Sequence, residues 1–145
     1  MKKEIKKKFS AGGIVLNKKG EVVLVSQKVS WSFPKGGIKK GETELEAAMR
    51  EIWEESGIEH LDLIGELGVI ERSKIAIRGK GESFEMKKIA MFLFTTKQKK
   101  LKPIDSDNPE ALWIKIEEVA ERLTHEKDKE FFLSVMDQVK KHSKS

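Results

Sequence analysis

Three glutamates stand close together in one short segment of the chain, at positions 51, 54 and 55. On an α-helix, Glu51, Glu54 and Glu55 would fall within an arc of roughly 100°. Like charges this close repel one another by a few tenths of a kcal/mol per pair unless a cation neutralises them. Carboxylate oxygens suit Mg²⁺, or Mn²⁺ as a substitute, and Mg²⁺ recruits substrate phosphates to complete its octahedron. The three glutamates therefore predict a metal site that acts on a phosphate compound.

Glycines precede this acidic segment at positions 36, 37 and 41. A solvated helix face is the ordinary explanation of neighbouring glutamates, but such a helix does not need glycines before it. Glycine lets the backbone turn sharply or approach a ligand closely, so Gly36 and Gly37 are candidate substrate-binding residues. Arg50 can pair with a carboxylate and hold it in position. Glu42 has three open roles, in which it binds metal, orients water or interacts with the helix N-terminus.

The segment from 43 to 57 carries complete signals for the helix that these glutamates need. Thr43 and Glu46 match the Thr-x-x-Glu capping box, and Gly57 stands where a left-handed residue ends a helix. The arc beside the acidic one is apolar and would dock the helix on a sheet through Leu45, Ala48, Met49 and Ile52. Ala47 lies in the acidic arc one turn earlier, and its small side chain is expected to leave room for a ligand above the carboxylates.

Strand-like segments surround this helix. The β-branched runs at 9–16 and 21–26, with Asn-Lys-Lys-Gly between them, predict a hairpin. Pro34 ends any strand there, and loop is expected until Glu42. Further strands are predicted at 61–71, at 83–96 after a charged segment, and at 111–116, with helices at 116–123 and along the apolar stripe from 131 to 139. Strands interleaved with helices predict an α/β protein, a mixed sheet covered by helices on both faces.

The 145 residues suit one domain spanning 1–145, with a basic segment at 1–8 and a frayed tail at 140–145. No apolar run has the length of a membrane span, and the lysine-rich N-terminus lacks the apolar stretch of a secretory signal. We therefore expect a cytoplasmic protein with no membrane partner. The chain has no cysteine, which excludes disulfides and thiolate chemistry.

The 29 basic and 24 acidic residues give a formal net charge of +5, and some of the lysines form two clusters. One cluster stands beside the glycines, at Lys35, Lys39 and Lys40, and another comprises residues 2, 3, 6, 7 and 8. Either cluster could attract a polyanion, and either could simply keep the surface soluble. Lys35 and Lys39 are the candidates to bind a phosphate of the substrate.

Residues 36–58 resemble the signature of the Nudix hydrolases. The matching positions are Gly36, Glu42, Arg50, Glu51, Glu54, Glu55 and Gly57, with aliphatic residues at 52 and 58. The resemblance implies an α/β/α sandwich with a mixed sheet, and a hydrolase that cleaves a nucleoside diphosphate linked to another group. It also implies that Arg50 orients a carboxylate and that Glu51, Glu54 and Glu55 hold the metal, with Glu54 or Glu51 a candidate base.

Nudix enzymes often take a further carboxylate from outside the signature as metal ligand or general base. The candidates here are Glu82, Glu85 and Glu110. Glu85 is preferred because it stands early in a predicted strand that could cross near the helix. The ordinary alternative is an exposed strand glutamate.

The lead-in Trp31-Ser32-Phe33-Pro34-Lys35-Gly36 is similar to that of Nudix enzymes that cleave diadenosine tetraphosphate, diphosphoinositol polyphosphates or RNA 5′ ends. We expect a dinucleoside polyphosphate as substrate. The alternatives are an RNA 5′ end, a diphosphoinositol polyphosphate, or a non-catalytic domain that binds a nucleotide or nucleic acid. Adenine would stack on an aromatic ring, for which the candidates are Trp31, Phe84, Phe92 and Trp113, unless these lie in the core. The absence of tyrosine departs from the dinucleoside tetraphosphate hydrolases, which commonly stack the base on one.

Overall fold

The computed structural model describes residues 4–27, 29–78, 81–104 and 110–143. Its strands are β1 (Glu4–Leu16), β2 (Glu21–Gln27), β3 (Ser30–Ser32), β4 (Lys35–Gly37), β5 (Asp62–Arg78), β6 (Gly81–Thr95) and β7 (Glu110–Lys115). Its helices are α1 (Glu44–Ser56), α2 (Ile116–Arg122) and α3 (Glu126–Lys141). No helix in these ranges combines the length and hydropathy that a membrane crossing requires.

The strands form one mixed sheet in the order β3-β2-β1-β6-β5, with β4 paired to β1 and β7 paired to β2. The pairing of β1 with β6 is parallel along the whole of β1, and the other pairings are antiparallel. Strand β1 is therefore central, with β6 on one side and both β2 and β4 on the other.

Helices cover both faces of this sheet, and each face has its own core. Along β1, Ile14 and Leu16 pack on the face that α2 and α3 cover, whereas Val15 packs on the face that α1 covers. Strand β1 is thus buried on both faces, which explains its continuous apolar run. The arrangement confirms the predicted α/β class and the mixed sheet between two layers of helix.

Helix α1 has the predicted ends. The Thr43 hydroxyl accepts a hydrogen bond from the Glu46 backbone at 3.1 Å, and the Glu46 carboxylate accepts one from the Thr43 backbone at 2.9 Å. Gly57 ends the helix with a left-handed φ of 80°, and a side-chain Cβ there would lie 2.1 Å from the Lys102 carbonyl oxygen. This position therefore requires glycine for both its conformation and its packing.

Two side chains of α1 lie differently from the prediction. Ala47 is fully buried among the apolar residues between α1 and the sheet, so it leaves no room for a ligand. Met49, which was expected to help dock the helix, is 38 % exposed. The buried face instead includes Glu55, because the docked surface is turned toward the acidic arc.

The sheet is more extensive than the sequence predicts. Strand β4 occupies part of the expected loop before Glu42, and β5 and β6 take up most of the charged segment expected between them. Residues 4–8 of the basic segment belong to β1, where they pair with β6. Helix α3 continues through Lys141, into the expected frayed tail. In each case pairing or packing with a distant segment determines the secondary structure, and local composition does not indicate that pairing or packing.

Candidate active site

Arg50 is the centre of the hydrogen-bond network between α1 and the loop before it. Its Nε donates to Glu42 Oε2 at 2.6 Å and its Nη2 to Glu42 Oε1 at 2.9 Å. The Nη1 group donates to Glu51 Oε1 at 2.7 Å and to Glu54 Oε2 at 3.3 Å. Nη2 also donates to the carbonyl oxygen of Gly37 at 2.9 Å. One guanidinium therefore fixes two of the predicted metal ligands relative to the glycine loop.

Glu42 acts in this structure as the partner of Arg50. Its Oε1 atom also accepts a hydrogen bond from the Lys39 backbone N–H at 2.8 Å. These bonds to Arg50, and then to the Lys39 backbone, lower the pKa of Glu42 to about 2. The hydrogen bond of Arg50 to Glu42 is the main cause that raises the pKa of Arg50 above its ordinary value, and its bond to Glu51 raises it further. The pair therefore stays charged at any pH well above 2.

Gly36 lies directly against the carboxylate of Glu51. A Cβ atom at position 36 would stand 2.2 Å from the carboxyl carbon of Glu51, so no side chain fits there. On its other side, β4 packs against β1, where a Cβ at Gly12 would lie 2.3 Å from the Pro34 carbonyl oxygen. Two glycines thus allow β4 to pass between β1 and the acidic face of α1.

Glu55 stands in a different environment from the other two glutamates. It is 5 % exposed, and its Oε1 accepts a hydrogen bond from the Lys35 backbone N–H at 2.8 Å. Burial lowers the pKa of the Lys35 ammonium to about 8, with further lowering by Lys87 and Arg72, while the charge of Glu55 acts in the opposite direction. Lys35 thus lies between the glutamates of α1 and a second group of cations.

The predicted metal ligands match a hard cation in donor type and partly in placement. All three donors are carboxylates on one side of α1, and two of them contact the same nitrogen of Arg50. Across the described ranges, no three acidic, histidine or cysteine side chains are grouped closely enough to enclose a metal by themselves. Mg²⁺ does not need such an enclosure, because it keeps waters and takes phosphate oxygens beside one or two carboxylates. The residues therefore fit a hard divalent cation that binds together with phosphate oxygens.

A cavity of about 310 Å³ opens on the sheet near these residues, and we call it the cationic cavity. It is lined by Lys8, Arg72, Ser73, Glu85, Met86, Lys87 and His125. Glu85, the preferred carboxylate from outside the signature, thus lies in its wall and is only 9 % exposed. Glu110 is exposed on β7, opposite Ser26 of β2, and the Glu82 side chain lies outside the described residues.

The other predicted substrate contacts are not brought together. Lys39 contributes its backbone N–H to Glu42, and its side chain is exposed. Trp31 packs against the core under α2 and α3, with the Arg122 guanidinium 5.5 Å from its ring centroid. Phe92 is buried beside Phe94, and the Trp113 indole donates to the Lys99 carbonyl oxygen at 2.9 Å. Neither Trp31 nor these rings, nor the half-buried Phe84, lines the cationic cavity.

Four titratable residues of the cavity were not predicted as site residues: Lys8, Arg72, Lys87 and His125. Lys8 was assigned to the N-terminal cluster, Arg72 to the charged segment and Lys87 to a strand, while His125 stands between the two predicted helices. The one signal in the sequence is the alternation of Glu85 and Lys87 within a strand that later becomes apolar. It indicates a polar stretch of the sheet but not what faces it.

A family model described as the NUDIX domain matches residues 6–135. The chain belongs to the NUDIX family. This match confirms the resemblance found in residues 36–58 and extends it over most of the chain. It also agrees with a mixed sheet that has helices on both faces, and with α1 as the helix of the signature.

Known proteins are similar to this chain in part of its sequence and in its whole fold. The RNA pyrophosphohydrolase of Psychrobacter cryohalolentis is 41 % identical over 59 residues, which cover 38 % of this chain and 34 % of that protein. The match thus spans about a third of the length of this curated relative.

Two solved structures share the fold at low sequence identity. The Ap4A hydrolase of C. elegans, in a binary complex, has a TM-score of 0.69 and 19 % identity, with 92 % of this chain and 98 % of that chain covered. The dihydroneopterin triphosphate pyrophosphohydrolase of E. coli has a TM-score of 0.69 and 17 % identity, with 94 % and 99 % covered.

Proposed function

We propose that this protein is a metal-dependent hydrolase that cleaves a pyrophosphate bond in a nucleoside diphosphate linked to another group. The observation that carries the proposal is the network of Arg50, which holds Glu51 and Glu54 against the glycine loop while Glu55 is fixed by the Lys35 backbone. Membership of the family and the hydrolases among its structural neighbours support the same activity.

The chemistry follows from what these side chains can hold. Glu51, Glu54 and Glu55 would bind the divalent cation, which lowers the pKa of a bound water and neutralises charge on the phosphates. Arg50 keeps two of the carboxylates in place before substrate arrives. In the reaction a water oxygen forms a bond to phosphorus, the bond to the bridging oxygen breaks, and a carboxylate takes the proton of the water. The candidates for that carboxylate are Glu51, Glu54 and Glu85.

We propose a dinucleoside polyphosphate, such as diadenosine tetraphosphate, as the substrate. The lead-in from Trp31 to Gly36 supports this choice, and so does the fold that the chain shares with an Ap4A hydrolase. The cations around Lys35 would suit a chain of several phosphates. The burial of Phe92 and the packing of Trp31 weigh against adenine stacking on those rings.

An RNA 5′ end is the second candidate substrate. The local similarity to an RNA pyrophosphohydrolase favours it, as does the row of exposed lysines at positions 6, 7 and 8 of β1. A diphosphoinositol polyphosphate would satisfy the same cations and is the third candidate. A non-catalytic binding domain is the least supported alternative, because the glutamates and Arg50 that hydrolysis needs are all present.

A panel of pyrophosphate compounds with Mg²⁺, and in parallel with Mn²⁺, tests the proposal. Diadenosine tetraphosphate should yield ATP and AMP, and the panel should include a 5′-triphosphorylated RNA oligonucleotide, a diphosphoinositol polyphosphate and ADP-ribose. Glu54→Gln should lower kcat by at least about 100-fold, the effect typical of losing a group that handles protons in the transition state. Glu44→Gln, on the exposed first turn of the same helix, is the matched control. Unchanged turnover in Glu54→Gln would refute the assigned chemistry.

The RNA alternative has its own test, for which deletion of the N-terminus is unsuitable because residues 4–8 form part of β1. The double variant Lys6→Gln, Lys7→Gln keeps the strand and removes two exposed charges. If RNA is the substrate, its kcat/KM should fall and should depend less steeply on salt concentration, since fewer counterions are released. An identical salt dependence in both proteins would exclude a role for these lysines in binding RNA.

A further inference from the structure

Three cations form a row across three neighbouring strands at the cationic cavity. Lys8 of β1 is the register partner of Lys87 of β6, and Lys87 is the register partner of Arg72 of β5. Register partners point to the same face of a sheet, and all three residues line the same cavity. We call Lys8, Lys87 and Arg72 the cation row. Positive groups directly opposite one another on a sheet destabilise it, so this arrangement needs an explanation.

An ion pair is found at one end of the cation row. Arg72 forms an ion pair with Asp128 of α3, whose side chain is 1 % exposed. Among the residues that the structure describes, Lys8 and Lys87 form no ion pair. Burial lowers the pKa of Lys87, and the charges of Arg72 and Lys8 lower it further. The neighbouring Lys88, on the opposite face of β6, instead pairs with Glu71 at 3.6 Å.

The cation row lies outside the signature, on the sheet face that α3 covers, and β1 connects it to the glycine loop before α1. Gly37, whose carbonyl oxygen accepts from Arg50, is the register partner of Ser10 on β1. Lys8 is two residues from Ser10, which is about 7 Å along a strand. The charge of Glu55 acts on both Lys35 and Lys87, and Glu85 lies in the wall of the same cavity. A substrate bound at Glu51 and Glu54 could therefore extend one end into the cavity.

The residues that line the cavity indicate what kind of chemical group the end of the substrate would place there. Among the lining residues that the structure describes, the imidazole of His125 is the one ring that a base could stack on, and the apolar contribution comes from Met86. Lysine and arginine are the side chains that bind phosphate, and the Arg72 guanidinium is already fixed in orientation by Asp128. The occupant is thus an anionic group with several acceptor oxygens.

We propose that the cation row binds a further phosphate of the substrate, beyond the pyrophosphate bond that is cleaved. The inference rests on the proposed function and narrows it to substrates with at least three phosphate groups. It separates polyphosphates, whether from a dinucleoside or from the 5′ end of RNA, from diphosphates such as ADP-ribose, which have no group to place there.

Binding of inorganic tripolyphosphate and of inorganic pyrophosphate, by calorimetry in the presence of EDTA, tests the subsite apart from catalysis. Tripolyphosphate should bind the wild-type chain at least 10-fold more tightly than pyrophosphate. Lys87→Met and Lys8→Met should each weaken tripolyphosphate binding by at least 10-fold, whereas Lys88→Met, the matched control from the same strand, should change it less than 2-fold. Equal effects of Lys87→Met and Lys88→Met, or no preference for tripolyphosphate, would overturn the proposal.

Kinetics then connect the subsite to the substrate. Lys87→Met should lower kcat/KM by at least 10-fold for diadenosine tetraphosphate or for 5′-triphosphorylated RNA, whichever the wild type hydrolyses, and by less than 2-fold for ADP-ribose. Tripolyphosphate binding through Lys87 in a chain that hydrolyses nothing would retain the subsite and refute the proposed function. If the chain hydrolyses the substrate but Lys87→Met and Lys88→Met have equal effects, the proposed function would be retained and the subsite refuted.

Discussion

Arg50 and Glu42 are joined by two hydrogen bonds, at 2.6 Å from Nε and 2.9 Å from Nη2, across the junction between the glycine loop and α1. This pairing leaves Nη1 to contact Glu51 and Glu54. One cation thus serves three carboxylates, and the loop and the helix cannot move independently while it is in place. Glu42 therefore contributes to the site by orienting Arg50, which in turn orients two predicted metal ligands.

Replacing Arg50 by lysine tests this geometry while keeping the charge. A lysine ammonium cannot reproduce the planar fork that bonds Glu42 on one side and Glu51 on the other. We expect Arg50→Lys to lower kcat by at least about 10-fold, which corresponds to about 1.4 kcal/mol of transition-state stabilisation, with a smaller change in KM. Steady-state kinetics with Mg²⁺ measure both. Arg122→Lys, beside Trp31, is the control, and wild-type kcat in Arg50→Lys would show that the fork is unnecessary.

Gly36→Ala should damage the site through a direct steric conflict. The added Cβ would lie 2.2 Å from the carboxyl carbon of Glu51, which must move or push β4 away from α1. Activity should fall by at least about 10-fold, and the dependence of activity on Mg²⁺ concentration should shift to higher values. Gly65→Ala is the control, because nothing lies within 4 Å of a Cβ at that position. Similar activity in the two variants would contradict the packing described for Gly36.

The pH dependence of stability should reveal the Glu42 interaction. Its pKa is about 2 in the folded protein, against an ordinary value of 4.5. Because the folded value is the lower one, the pair stabilises the fold above about pH 4.5, and this contribution is lost as the pH falls toward 2. Urea unfolding between pH 6 and pH 2 should show a shallower loss of stability in Glu42→Gln than in the wild type. The Glu44→Gln variant should retain the wild-type slope, and parallel curves for all three proteins would refute the assignment.

Helix α1 was predictable because its signals are local. The capping box at Thr43 and Glu46 and the terminal Gly57 are separated by no more than 14 residues and act within one element. Strand β4 was not predictable, because it depends on the pairing of Lys35, Gly36 and Gly37 with a strand more than 20 residues earlier. The rotation of α1 about its own axis, relative to the sheet, likewise could not be predicted from the sequence. A helical wheel gives the relative angles of Ala47 and Glu55 but not the direction in which the sheet lies.

The site divides in the same way between local and distant information. The spacing of Glu51, Glu54 and Glu55 is a local property, and the structure finds them on one side of α1 as expected. The cation row needs the registers of β1 with β6 and of β6 with β5, which bring together residues 8, 87 and 72. Sequence periodicity indicates strands but does not specify which residues of distant strands become neighbours.

Asp128→Asn should separate the structural role of the Arg72 ion pair from the binding of anions. Asp128 is buried, and removing its charge leaves Arg72 without its partner while the cation row loses its nearest negative group. Unfolding in urea should show a loss of stability of about 3 kcal/mol, the lower end for breaking a buried pair.

Tripolyphosphate should partly restore the stability of Asp128→Asn, because the anion supplies the missing negative charge and binds only the folded chain. Asp128→Asn should bind tripolyphosphate at least as tightly as the wild type does, since the Asp128 carboxylate, which repels the anion, is gone. The double variant Asp128→Asn, Arg72→Met should be more stable than Asp128→Asn alone, because no uncompensated charge remains, but it should bind tripolyphosphate less tightly. Weaker tripolyphosphate binding in Asp128→Asn than in the double variant would mean that Arg72 acts only through the fold.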